Sequence, residues 1–226
     1  MGEFQGFGPK ALGFFKALAF HQTKQWFDEN RAIYEDHVKA PFGALVTDVN
    51  AGLAKKDVQL SGDPKKALFR LNRDVRFSND KSPYKTHAGA VLTRSGEKKD
   101  INGLLYIHVD PKGCFVAAGF YHPEPPYLKD VRKVIRGRPD RYRALVAHLK
   151  RRKLKLSDED KLTRLPRDFV DVEDPDLVEA LKLKSFIVRS PLDDADIFSK
   201  KLVDKVVAFA VAADPLIVWG RGEDMR

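Results

Sequence analysis

The sequence predicts an α+β fold, with a central antiparallel sheet flanked by N-terminal and C-terminal helices. Three observations carry that reading. Before Asp57 and again after Pro125, apolar side chains recur at helical spacing. Between these stretches, apolar and polar side chains alternate with the period of two that marks a strand. Two of the alternating stretches are joined by Asp110-Pro111-Lys112-Gly113, with Pro at the second turn position and Gly at the fourth, a type I hairpin signal. At 226 residues, 43% of them hydrophobic, the chain is long enough to bury a substantial core. It is expected to form a single domain over residues 1–226, with no internal repeat and no low-complexity linker.

Taken in order, residues 10–20 read as a helix that Gly8-Pro9 introduces. Thr23 is a natural N-cap for a second helix, in which Trp26, Phe27, Ile33, Tyr34 and Val38 share helical spacing. Pro41 is expected to interrupt it, and a third helix over 41–55 to bury Leu45, Val49 and Leu53. Residues 69–77 read as a strand with Phe69, Leu71, Val75 and Phe77 on one face and Arg70, Asn72, Asp74 and Arg76 on the other. Arg73 falls on the apolar side of that strand and must reach a rim, a carboxylate or a bulge. Turn chemistry follows in Ser78-Asn79-Asp80 and Ser82-Pro83. Further strands are expected over 87–93, 103–110 and 114–121, with a polar hairpin tip at 94–100. Pro125 and Pro126 open a helix over 127–136 that Gly137 closes, and Pro139 starts another that runs to Lys153. Residues 164–175 read as loop, 176–183 and 199–213 as helices, and 186–188 as a short strand.

Charge is unevenly distributed. The net charge is +9, yet residues 129–155 alone hold twelve Lys and Arg against Asp130 and Asp140, so the rest of the chain is close to neutral. The cationic positions Lys129, Arg132, Lys133 and Arg136 share one helix face opposite Leu128, Val131, Val134 and Ile135. One reading is a phosphate-backbone surface, hence non-specific nucleic-acid binding through residues 129–155. The other is a solvated or internally paired face. The run from Asp168 to Glu179, with six acids and no cation, offers the partners for such pairing.

Several classes are disfavoured. No apolar run reaches bilayer length, because Asp214 and Pro215 cut the most apolar stretch, so no membrane partner is expected. The N-terminus lacks a secretory pattern, and Gly6 occupies the position where a myristoylation signal has Ser or Thr. The lone Cys114 cannot form an internal disulfide and is expected to be a buried, inert side chain, which points to a reducing, cytoplasmic setting. Phosphate-loop, dinucleotide and nucleophile-elbow motifs are missing. The acids after Asp168 lack the central glycine of a calcium loop. No two of the six histidines share the helical spacing of a zinc pair, so no metal site is expected. One would have to be assembled from distant residues, such as His87, His108 and a carboxylate on neighbouring strands. A packed, hydrogen-bonded His108 alternating with Tyr106 is the plainer expectation. Spacing identifies no cofactor and no oligomeric state.

Chemistry concentrates in residues 69–85, FRLNRDVRFSNDKSPYK. Arg70, Arg73, Arg76, Lys81 and Lys85 outnumber Asp74 and Asp80, leaving +3 in seventeen residues. Clustered guanidinium groups repel unless anions sit among them, and their fork geometry matches carboxylate or phosphate oxygens. The candidate ligand residues are therefore Arg70, Asn72, Arg73, Arg76, Ser78, Lys81, Tyr84 and Lys85. Asp74 and Asp80 are the candidate general bases, if any reaction is catalysed. Trp26, Asn30, Arg31, Tyr106 and His108 are candidates for lining the same cleft. The competing reading is an ion-pair network that pins this segment to an N-terminal helix through Glu29, Glu35 or Asp36.

The stretch RDVRFSNDKSPYK resembles the hallmark of the domain of unknown function 2461 family. KQWFDENRAIYE from Lys24, Gly119-Phe120-Tyr121, LPRDF from Leu165 and LKLKSF from Leu181 fit the same family in order. The resemblance spans nearly the whole chain. It implies a single domain and carries no reaction or catalytic residue. One departure stands out, Asp168 where the family pattern has glycine, which argues against an anion bound by that loop's backbone. The leading expectation is binding of an anionic, phosphate-bearing small molecule by residues 70–85. Nucleic-acid binding through the basic helices is the first alternative, and a structural or partner-binding protein without catalysis the second.

Overall fold

The computed structural model describes residues 3–76, 79–100 and 102–223. Helix α1 (Pro9–Phe20) begins with Pro9 in its first turn, where a missing N–H forfeits no helical bond. Thr23 caps α2 (Lys24–Glu29), its hydroxyl accepting from the Trp26 N–H at 3.2 Å. Helix α3 (Arg31–Tyr34) then passes through a π-helical turn (Glu35–Lys39) straight into α4 (Ala40–Ala54). Pro41 therefore does not interrupt the helix, contrary to the sequence expectation. The Ala40 N–H bonds to the Glu35 carbonyl five residues back. That widened turn takes up the register ahead of a residue with no donor and a ring that crowds the preceding turn. Leu45, Val49 and Leu53 of α4 are fully buried, as their spacing requires.

The sheet has strands β1 (Ala88–Thr93), β2 (Leu104–Val109), β3 (Cys114–Phe120) and β4 (Phe186–Leu192), antiparallel throughout and in spatial order β1-β2-β3-β4. The Gly113 N–H donates to the Asp110 carbonyl at 3.0 Å and closes the expected β2–β3 turn. Strand β4 is longer than the predicted 186–188, because its extension pairs with the full length of β3. Between β3 and β4 the chain forms α5 (Pro125–Gly137), α6 (Pro139–Arg151), a 3-10 turn at Arg167–Phe169 and α7 (Pro175–Lys182). After β4 come α8 (Asp194–Ile197) and α9 (Leu202–Gly220). Helix α9 packs on β3 and against α4 and α6. It continues through Pro215, beyond the predicted end at Ala213, since Leu216, Ile217 and Trp219 are buried and offset the lost backbone bond. No helix among the described residues is long and apolar enough to cross a membrane.

Strand β2 shows how the sheet sorts its faces. Leu105, Ile107 and Val109 are fully buried in the core, whereas Leu104, Tyr106 and His108 are half-buried on the opposite face. Residues 69–76, by contrast, do not form the predicted strand. The Phe69 N–H still donates to the Gly89 carbonyl at 2.8 Å, beside an isolated bridge between Leu68 and Ala90. Beyond that, the described residues form a short antiparallel contact around Asn72 and Tyr84, through Arg73 N–H to Pro83 O and Lys85 N–H to Leu71 O, both 2.8 Å. Leu71 is buried and Val75 exposed, so the predicted apolar face splits. The alternation was present, but among the described residues no strand runs alongside beyond Phe69 to satisfy the backbone. Phe77 lies outside the described residues.

The basic helices also differ from a uniformly cationic face. Arg132 is only 8% exposed, and its guanidinium donates to the carbonyls of Leu181 (2.8 Å) and Leu183 (2.9 Å), satisfying the C-terminal end of α7. Asp168, Asp171 and Asp174 form ion pairs with Lys129, Arg136 and Arg143. Asp168 is thus a carboxylate matched to a lysine on α5.

Candidate anion site and the polar sheet face

The segment leading into β1 is held by an aromatic anchor. Tyr84 is only 6% exposed, its ring stacks on Phe27 of α2 at 4.7 Å, and its N–H donates to the Gln22 side chain at 3.0 Å. Tyr84 therefore positions the segment and does not stand in the open as a neutral ligand donor. At the loop tip the charges satisfy one another. Asp74 takes two side-chain hydrogen bonds from Arg76 (3.0 and 2.8 Å), and Asp80 accepts from the Ser82 hydroxyl (2.7 Å) and pairs with Arg73 (3.0 Å). Hydrogen bonds from Arg76 hold the Asp74 carboxyl below its usual range, and those from Ser82 do the same for Asp80. Both candidate bases are thus ionised and occupied with structural partners. Lys81 donates to the Val75 carbonyl at 2.8 Å and closes the tip. Ser78 lies outside the described residues.

Below the tip, cations converge without matching acids. Among the described residues no carboxylate pairs with Arg70, Lys85 or Lys98, and Arg73 has Asp80 alone. The Nε of Arg73 is buried with no hydrogen-bond partner. Lys85 and Lys98 both lie over the Phe69 ring, at 5.7 and 5.5 Å. Burial pushes the Lys85 ammonium below its ordinary pKa, and the like charges of Arg73, Arg70 and Lys98 push it further. Arg70, Asn72 and Lys98 line a cleft of about 690 Å³ between this segment and the helices α2 to α4, together with Arg31, Tyr34 and Lys39. Glu35, the acid on that wall, is paired with Lys39.

On the other side of Phe69, whose ring lies 6.3 Å from Tyr106, the polar face of the sheet begins. The Tyr106 hydroxyl is 2.9 Å from His108 Nδ1. It gets there because residue 89 is glycine: a Cβ at Gly89 would lie 2.3 Å from that hydroxyl oxygen. His108 stacks on Phe115 at 4.5 Å and meets the His87 ring at 4.6 Å. Asp110 Oδ2 lies 3.6 Å from His108 Nε2 and 3.9 Å from His87 Nδ1. Burial first, then the neighbouring His108, depress the His87 pKa to about 4, while burial also lowers His108. Burial raises the Tyr106 hydroxyl to about 12, so it stays protonated. Lys85 and Arg73 contribute to the field at His87, which links the sheet face to the cationic segment.

Of the predicted residues, the fold brings Arg70, Asn72, Arg73 and Lys85 together, sets Arg31 across the cleft, and puts Tyr106 and His108 on the adjoining sheet face. Arg31 is itself held by Asp28 and lies over Phe27. Trp26 stacks on His21, and Asn30 closes α2 by donating to the Trp26 carbonyl, so neither lines the cleft. Among the described residues this segment makes no ion pair with Glu29, Glu35 or Asp36: Glu29 accepts from Gln25, Glu35 pairs with Lys39, and the segment's ion pairs are internal. Sequence reading passed over Lys98, which looked like part of a solvated hairpin tip, and Asp110, which looked like turn chemistry only. Continuing the β1–β2 register one step beyond Ala88 and Val109 puts His87 opposite Asp110. That signal was invisible without the register.

Comparison with known proteins adds one match. A family described as "Conserved hypothetical protein (DUF2461)" matches residues 10–219. No curated protein and no solved structure matches the chain.

Proposed function

The chain belongs to the DUF2461 family of conserved hypothetical proteins, whose description names no reaction, and we propose from the site itself that it binds a small phosphate-bearing anion beside residues 70–85. One observation carries this reading: four cations, Arg70, Arg73, Lys85 and Lys98, converge, and among the described residues only Arg73 of the four is ion-paired with a carboxylate, Asp80. Like charges gathered at a half-buried position raise the free energy of the empty protein, and a multiply charged anion relieves that repulsion. The adjoining cleft of about 690 Å³, which Arg70 and Lys98 of these four line, is large enough for a ligand of nucleotide or sugar-phosphate size, and Asn72 adds a neutral donor at its wall.

The test is thermal unfolding with and without inorganic phosphate, pyrophosphate and a nucleoside monophosphate. Wild-type protein should gain several degrees in Tm with a saturable concentration dependence. Arg70→Gln and Lys85→Met should lose most of that gain while their ligand-free Tm stays equal to or above that of wild type, because repulsion is removed. A wild-type Tm that ignores all three anions would overturn the proposal. So would variants that keep the full gain.

The basic helices support the nucleic-acid reading less well. Lys129, Arg136 and Arg143 already have carboxylate partners, and Arg132 is committed to α7. A cation already paired with a carboxylate has less to gain from a phosphate backbone.

A further inference from the structure

The polar sheet face contains a constellation that the anion site does not use. We propose that His87, His108 and Asp110 bind one divalent first-row transition-metal ion, with open coordination positions turned toward the cationic segment. Their ligand atoms, one from each residue, all lie within 4.8 Å of one another. The two contacts to Asp110 Oδ2, at 3.6 and 3.9 Å, are too long to be good hydrogen bonds. Three half-buried polar groups therefore converge on a common point without satisfying one another. An ion with bonds of roughly 2.0–2.2 Å holds its ligand atoms roughly 3.0–3.5 Å apart, so each group needs to shift by less than about 1 Å.

The supporting contacts are those a metal site requires. The Tyr106 hydroxyl occupies His108 Nδ1 at 2.9 Å, so when that nitrogen carries the proton, Nε2 presents its lone pair toward Asp110. The other carboxylate oxygen, Asp110 Oδ1, accepts from the Lys112 N–H at 2.8 Å, which orients Oδ2 toward the two rings. Burial keeps both imidazoles in the neutral form that ligates. The elements are rigid: His108 lies within β2, and His87 and Asp110 flank the register of the β1–β2 pair. Exposure is graded, with His108 and Asp110 side chains 13% and 14% accessible and His87 30%, so the cluster is most accessible at His87. Two histidines and one carboxylate with vacant positions make an open site, suited to an exchangeable ligand. The ion would keep a net positive charge there, beside Arg73 and Lys85, and an anion is the natural occupant of its remaining positions.

The experiment is a titration of chelator-treated, full-length protein in phosphate-free buffer with Zn²⁺ by calorimetry, and with Co²⁺ by visible absorption. One ion per chain is expected, with Co²⁺ bands distinct from those of the aqueous ion. Asp110→Asn, which keeps the acceptor for the Lys112 N–H, and His87→Gln should each weaken binding at least tenfold while the ligand-free Tm stays within a few degrees. A third readout guards against misfolding: the ring ¹⁵N signals of His87 and His108 should shift together on adding Zn²⁺. Absence of binding in wild type would overturn the proposal, as would undiminished affinity in Asp110→Asn and His87→Gln. Arg70→Gln should bind metal normally, so failure here and failure of the anion reading are separable.

Discussion

At the scale of single residues, His87 is the side chain whose environment has the clearest measurable consequence. It faces His108, Asp110, Lys85 and Arg73, and its pKa is depressed from 6.5 to about 4, by burial and then by the neighbouring His108. The unfolded chain takes up a proton near pH 6.5, whereas the folded chain resists it until about pH 4. Stability should therefore be constant with respect to this group above about pH 6.5 and fall as the pH drops toward 4. In the presence of a chelator, His87→Gln should flatten that fall by about 1–2 kcal/mol, after allowance for partial solvent screening. Urea midpoints measured at pH 7.5, 6 and 4.5 check it, and parallel slopes for variant and wild type would contradict it. Gly89 acts at the same scale in a different way. Its missing side chain is the space on β1 over which the Tyr106 hydroxyl lies as it meets His108 of the same strand β2, a role that no spacing rule in the sequence announces.

Elements show why charge patterning alone misleads. By spacing, Arg132 belongs to the same cationic stripe of α5 as Lys129, Lys133 and Arg136, yet it is buried against the end of α7. A helix end that packs inside the fold needs partners for its last carbonyls, and this guanidinium supplies two donors to them. Arg132→Met, which retains much of the apolar bulk, should cost about 2–4 kcal/mol because two buried carbonyls lose charged donors. Lys133→Glu on the exposed side should change stability by less than about 1 kcal/mol. Urea denaturation of the two variants distinguishes the roles, and equal effects would refute them. The long helix that begins at Arg31 teaches a related lesson. Proline is a sound stop signal for a regular helix, but a π turn ahead of Pro41 lets the helix absorb it. Aromatic packing of Tyr34 and burial of Phe42 on either side hold that turn in place.

Over the whole molecule, the excess of positive charge is partly masked by three acids contributed from another segment. Asp168, Asp171 and Asp174 face the basic helices and are mostly exposed, so the individual pairs stabilise the fold only slightly. Their larger effect is on the field outside the protein. The triple change Asp168→Asn, Asp171→Asn and Asp174→Asn should leave Tm within a few degrees, raise affinity for duplex DNA and steepen its salt dependence. Filter binding at two salt concentrations measures this, and an unchanged affinity would show that the masked cations are not arranged to meet a phosphate backbone.

The periodic parts of the fold were legible because their causes are local. Helices α1, α5, α6 and α7, the three strands of the central hairpins and the Asp110–Gly113 turn all follow from side-chain spacing, proline and glycine. The family signature in residues 73–85 was also readable as written, as was the concentration of charge around it. Tertiary structure decided which cations found carboxylates: Asp80 for Arg73, Asp74 for Arg76, and no carboxylate among the described residues for Arg70, Lys85 and Lys98. It also joined His87 to His108 and Asp110 across a register that the loop between β1 and β2 leaves undetermined in sequence. The physical reason is the range of the forces involved. Periodicity is set within a few residues by backbone geometry, whereas ion pairing and ligand convergence depend on how buried faces align segments far apart in the chain.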